Sequence, residues 1–165
     1  MGKILRVAAG CSLAMSVMLT GCDSGGCEGL RSAVPRADFY SMGSKSKITV
    51  DSLEIAGVGV PGDSVLYGPS SHLSSVYLPM PPEVNRVQWR IAYMQKDLAA
   101  FDLADTITLD FERTPWFAGV ECGAMYKYRI TRMNHTVNLI DSVAVTDSTV
   151  INVDNPTLAV YFRTE

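Results

Sequence analysis

Arg86-Val87-Gln88-Trp89-Arg90-Ile91-Ala92-Tyr93 is the stretch that decides the fold class. Val87, Trp89, Ile91 and Tyr93 recur with period two on one face, and Arg86, Gln88 and Arg90 share the other, which is how a strand with one face in a core reads. Downstream, Asp105 to Glu112 repeats the pattern, with Ile107, Leu109 and Phe111 inward and Thr106, Thr108, Asp110 and Glu112 outward. Ala124 to Ile130 follows it again, with Tyr126, Tyr128 and Ile130 opposite Lys127 and Arg129.

Working outward, shorter strands are expected at 37–42, 46–50, 52–58, 64–67, 75–79, 140–145, 149–153 and 157–163. Turn formers separate them: Pro61-Gly62-Asp63, Gly68-Pro69-Ser70, Pro79 to Pro82, Asn134-His135 and Asp154-Asn155-Pro156. Only 96–104 leaves room for a helical turn. Many short strands at turn-marked spacing predict an all-β fold, an antiparallel two-sheet sandwich of immunoglobulin-like type, with a small β-barrel as the alternative.

The chain has 165 residues, 47% hydrophobic and 19% charged, with a formal net charge of -3. That length suits one domain, and the apolar content excludes a disordered chain. The mild acidity offers no clustered basic surface for nucleic acid, which is excluded as a partner.

Residues 1–21 have the layout of a secretory signal peptide: Lys3 and Arg6 at the start, then a mostly apolar stretch from Val7 to Leu19 too short to be a convincing span. The tetrad Leu19-Thr20-Gly21-Cys22 resembles the bacterial lipobox. That resemblance implies cleavage before Cys22 and a lipidated cysteine as first residue of the mature chain. Residues 22–26 then form a tether, and one β domain runs from 27 to 165. The expected address is the cell envelope, lipid-anchored and with the outer membrane favoured; Asp23, which resembles an inner-membrane retention signal, keeps the inner membrane open. The discarded segment holds two basic residues and no acid, so the net charge moves from -3 to about -5.

Cleavage and acylation leave Cys27 and Cys122 as thiols. In an oxidising compartment an even pair reads as a disulfide, the alternative being a redox or metal pair, for which no CxxC motif or neighbouring ligand is present. With that disulfide, the tether from Cys22 to Cys27 spans at most about 18 Å. The body would then sit close to the bilayer.

No residue pattern asks for a cofactor, a metal or a catalytic role. His72 and His135 lie in polar turns, no GxSxG elbow is present, and the acids from Asp147 to Asp154 lack calcium-loop spacing. Asp110 and Glu112 look like cross-strand partners of Lys127 and Arg129. Leu78-Pro79-Met80-Pro81-Pro82 reads as a crossing between sheets or an extended polyproline-like segment. The best candidate for recognition is the loop Thr114-Pro115-Trp116-Phe117-Ala118-Gly119. Trp116 and Phe117 there are either an exposed contact for a partner or glycan, or a plug at one end of the sandwich.

The order Cys22, Cys27, Val76-Tyr77-Leu78-Pro79-Met80, Asp105-Thr106-Ile107-Thr108-Leu109, Cys122-Gly123 and Ile140-Asp141-Ser142-Val143 resembles a family of Bacteroidota lipoproteins, domain of unknown function 6452. The resemblance implies a lipid-anchored β domain with Cys27 and Cys122 at the family's cysteine positions, and it implies no activity. The functional expectation is a membrane-anchored, non-enzymatic binding or assembly module for an envelope protein. A glycan- or small-ligand-binding lipoprotein is the second reading, and an envelope hydrolase the third.

Overall fold

The computed structural model describes residues 29–30, 32–59, 64–70 and 72–164. Ten strands occur among them: β1 (Arg36–Ser41), β2 (Leu53–Gly57), β3 (Val65–Ser70), β4 (Ser75–Tyr77), β5 (Arg86–Tyr93), β6 (Ala104–Gly119), β7 (Gly123–His135), β8 (Ile140–Val145), β9 (Thr149–Val150) and β10 (Pro156–Phe162). One 3₁₀ turn, Ala99–Phe101, joins β5 to β6. A four-stranded sheet in the order β4-β1-β10-β8 packs against a six-stranded sheet in the order β3-β2-β5-β6-β7-β9. The fold is a β-sandwich, with one sheet strongly curled.

Alternation explains why the sheets pack as they do. β5 pairs with β2 on one side and β6 on the other, and it buries Val87, Trp89, Ile91 and Tyr93 as its period-two pattern requires. The larger sheet adds Leu53, Ile55, Ile107, Leu109, Phe111, Tyr128 and Ile130; the smaller supplies Phe39, Ile140, Leu158, Val160 and Phe162. Aromatic edges interlock across the seam. Phe162 meets its neighbour Phe39 in the same sheet edge-on at 5.2 Å between centroids and, across the seam, Tyr93 at 6.4 Å, which favours one packing over its alternatives.

Several elements differ from the sequence expectations; Asn134-His135, expected as a turn, instead ends β7, and the strand expected at 149–153 is only Thr149–Val150. The sheets are antiparallel except for β1 and β10, which pair in parallel from Arg36 opposite Pro156 to Ser41 opposite Phe162. Alternation within each strand is the same in either direction, so it carries no information on polarity. Gly68-Pro69-Ser70, expected as a turn, belongs to β3; β3 lies at the edge of its sheet, where a missing proline N–H removes no ladder bond. Residues 46–50 form only isolated bridges, Tyr40 with Lys47 and Val50 with Leu73.

The proline segment crosses between the sheets. Leu78 and Met80 are buried while Pro79 and Pro82 face outward, and the Tyr128 hydroxyl donates to the Met80 carbonyl at 3.0 Å. Residues without an N–H suit a segment that has left its ladder.

Candidate functional site

The stretch Thr114–Gly119 is not a loop. It is the outer half of β6, which runs on past the last residue that β5 can reach and pairs with β7 as a projecting hairpin. Gly119 and Gly123, both at positive φ, frame the turn Val120-Glu121-Cys122. The length of this ribbon was hidden in the sequence by Pro115 and Gly119, which read as breakers. Neither interrupts it, because among the described residues no strand pairs with the outer edge of β6 beyond Asp110, and the last ladder-like bond there is from the Phe111 N–H to the Asn85 carbonyl.

Trp116 and Phe117 do not form one patch. Successive side chains on a strand point to opposite faces, and directly opposed residues of an antiparallel pair share a face. Trp116 faces with Met125, and beside them lie Thr114 with Lys127 and Glu112 with Arg129. Both Trp116 and Met125 are half-buried. Phe117 faces with Ala124, and Pro115 with Tyr126. These four are exposed, Phe117 to 64%, with Val120 at the tip 88% exposed.

The charges flanking the hairpin pair across strands. Glu112 accepts from Arg129 at 2.6 Å as the sequence suggested, but Asp110 pairs with Arg86 of β5 and with Arg132, which a bulge between Asp110 and Phe111 brings opposite it, while Lys127 lies opposite Thr114. The hydrogen bond and charge of Arg86 hold the Asp110 carboxyl below the usual aspartate range. A shallow groove of about 760 Å³ opens at the hairpin base between Val58, Pro81, Val84 and Val87, with Arg86 and Asp110 on its rim. Among the described residues no aromatic ring lines it.

Asp105 makes a polar constellation that the sequence reading passed over. It occupies an inward position of β6, in phase with Ile107 and Leu109, and is fully buried. Its Oδ1 accepts from the Thr136 hydroxyl at 2.7 Å and the Asn138 N–H at 2.8 Å; its Oδ2 accepts from the Tyr93 hydroxyl at 2.7 Å, the Leu139 N–H at 2.8 Å and the Ile140 N–H at 2.9 Å. Burial alone would raise its pKa, but these hydrogen bonds outweigh burial and lower it. Burial and the neighbouring carboxylate push the Tyr93 phenol up. The carboxylate collects the N–H groups of the segment leading from β7 into β8, and so fastens the link between the sheets. A charged residue in phase with apolar ones was the available signal.

The histidines stand apart from each other, and His135 directly precedes Thr136 of this constellation. His72, at φ 68°, pairs with Asp51 at 3.1 Å, and His135 Nε2 lies 3.4 Å from the Asp141 carbonyl oxygen. Asp147 accepts from the Thr149 N–H at 2.8 Å, the local turn bond that aspartates favour.

Cys22 and Cys27 lie outside the described residues, as do the whole of 1–21 and the tether. Cys122 sits in the hairpin turn with the Asn152 amide 3.6 Å from its sulfur. Gly29, Leu30, Ala118, Cys122 and Asn152 line one recess there. Among the described residues no helix is long and apolar enough to cross a membrane.

A family model described as a family of unknown function, DUF6452, matches residues 52–162, from the start of β2 to the end of β10. No curated protein and no solved structure matches.

Proposed function

The chain belongs to the DUF6452 family of unknown function, and from that premise we propose that it is a lipid-anchored cell-envelope protein that acts by contact, as a binding or assembly module for an envelope protein. Cys22 carries the lipid, and Cys27 is bridged to Cys122. The lipobox-like tetrad before Cys22 supports the first assignment. The half-cystine state of Cys122 supports the second, together with Gly29, close in sequence to Cys27, lining the same recess.

The observation that carries the contact reading is the hairpin that β6 and β7 project beyond the sandwich. Past Tyr128 and its partner Arg113, no described residue of the ribbon belongs to the buried core. Its Trp116 face has the composition of a protein interface, an aromatic and a methionine at the centre with Glu112, Lys127 and Arg129 at the rim.

Affinity capture from detergent-solubilised envelopes tests the reading. A partner recovered with the wild type and lost with Trp116→Ala, at unchanged thermal stability, is the expected result. Equal recovery with both proteins, or no specific partner, would overturn it. The anchor is tested separately by mass spectrometry of the mature N-terminus, where a diacylglyceryl group on Cys22 is expected.

A further inference from the structure

The second face of the hairpin has a different chemistry. Pro115, Phe117, Ala124 and Tyr126 continue, past the end of the sandwich, the same face of the ribbon that buries Phe111, Tyr128 and Ile130 inside it. A ribbon meant for water would turn polar at those positions, since an alternating strand keeps apolar residues for the side that is covered. Arg113, on the same face, turns its guanidinium to the Val84 carbonyl and the Asn85 side chain; beyond it these four positions stay apolar, and Val120 extends them onto the turn beside Glu121.

The start of the described chain lies beside this tip. The Leu30 N–H donates to the Asn152 carbonyl at 2.7 Å, and a Cβ on Gly29 would collide with the backbone and amide of Asn152. Gly29 is therefore held tightly next to Cys122. The segment from Cys22 to Gly29 reaches at most about 25 Å when extended, so a lipid on Cys22 brings the tip to the membrane surface.

We infer that the tip of the β6–β7 hairpin seats Phe117, Val120 and Tyr126 in the interfacial zone of the bilayer that holds the anchor, leaving the Trp116 face free. This rests on the anchor reading above. Tyrosine suits that zone because its ring is apolar and its hydroxyl stays hydrated. The contact is apolar rather than electrostatic, because the chain after Cys22 is net acidic, and so it is insensitive to salt. Anchor and tip together make two points of attachment, which fixes how the sandwich stands on the membrane.

The test uses the mature lipidated protein in zwitterionic phosphatidylcholine vesicles with brominated acyl chains, which quench a nearby indole. The chain has two tryptophans, and Trp89 is buried in the core, so Trp116 is the reporter for its own face. Trp116→Phe combined with Phe117→Trp moves the indole to the other face. The indole at 117 is expected to lose about half of its emission, in keeping with an apolar face that sinks about 5–10 Å below the headgroups, at low and high salt alike. The indole at 116 stays unquenched. Val120→Trp in the Trp116→Phe background repeats the measurement should the first pair disturb the hairpin. Unquenched indoles at 117 and 120, in protein carrying diacylglyceryl on Cys22, would overturn this inference alone. If those indoles are also shielded from aqueous acrylamide, a protein segment covers the face instead, which overturns it equally. Absence of the acyl group overturns the anchor and this inference together.

Discussion

Replacing Asp105 by asparagine keeps the shape of the side chain but turns one acceptor oxygen into a donor. If the remaining oxygen takes the place of Oδ2, it keeps Tyr93, Leu139 and Ile140, and the new NH₂ faces the Asn138 N–H and the Thr136 hydroxyl. The hydroxyl can rotate, but the Asn138 N–H cannot. One buried donor left without a partner costs about 1–3 kcal/mol, and the three surviving bonds lose their charge assistance, so a total near 3 kcal/mol is expected. For a domain of this size that lowers the melting temperature by about 10 °C. Urea unfolding followed by the emission of Trp89 measures it, with a lower midpoint and an unchanged slope.

The pH dependence adds a sign. The folded pKa of Asp105 lies below its unfolded value, so its stabilisation is fully present above the ordinary aspartate pKa of about 4. It is lost as pH falls through the lowered folded value. The gap between wild type and Asp105→Asn should be constant from neutrality down to about pH 5 and close in stronger acid. A variant within about 0.5 kcal/mol of wild type at pH 7, or a gap that persists at low pH, would refute the assignment of the carboxylate as the fastener of the two sheets.

Two further perturbations probe the ends of the same framework. Tyr128→Phe removes the hydroxyl that holds the Met80 carbonyl and should cost about 1–2 kcal/mol in urea unfolding, with the sandwich otherwise unchanged; no loss would mean that water satisfies that carbonyl. Gly29→Ala should release the first described residues from Asn152, so that the Leu30 amide exchanges much faster with solvent while the Ile91 amide in β5 keeps its protection.

The strands were most legible where one face is buried and the other wet. β5 and β8 span the residues expected of them, and the inner half of β6 has the faces that Ile107, Leu109 and Phe111 imply. Legibility failed where a residue's local habit met an unusual neighbourhood. Pro69 sits in a strand because that strand is an edge, and Pro115 because the ribbon there has left β5 behind. The candidate site was half legible. Trp116 and Phe117 were found by their chemistry, but their separation onto two faces depends on the conformation of residues 114–119, which a loop reading leaves open. Asp105 was visible as a charge in an apolar phase, yet its five donors come from residues 93 and 136–140, and only the folded chain brings these together.

The parallel pairing of β1 with β10 bears on how the molecule is made. Tyr40 has Tyr161 as its neighbour, and β10 lies between β1 and β8 in the middle of its sheet. A chain emerging from a ribosome or from a translocation pore can form the β5–β6–β7 meander early, since those contacts are local. The smaller sheet has to wait for residue 162, and until then β1 and β8 have an empty lane between them. Completion of the smaller sheet therefore waits for β10, which leaves β1, with Phe39 uncovered, as the segment most exposed to mispairing until then.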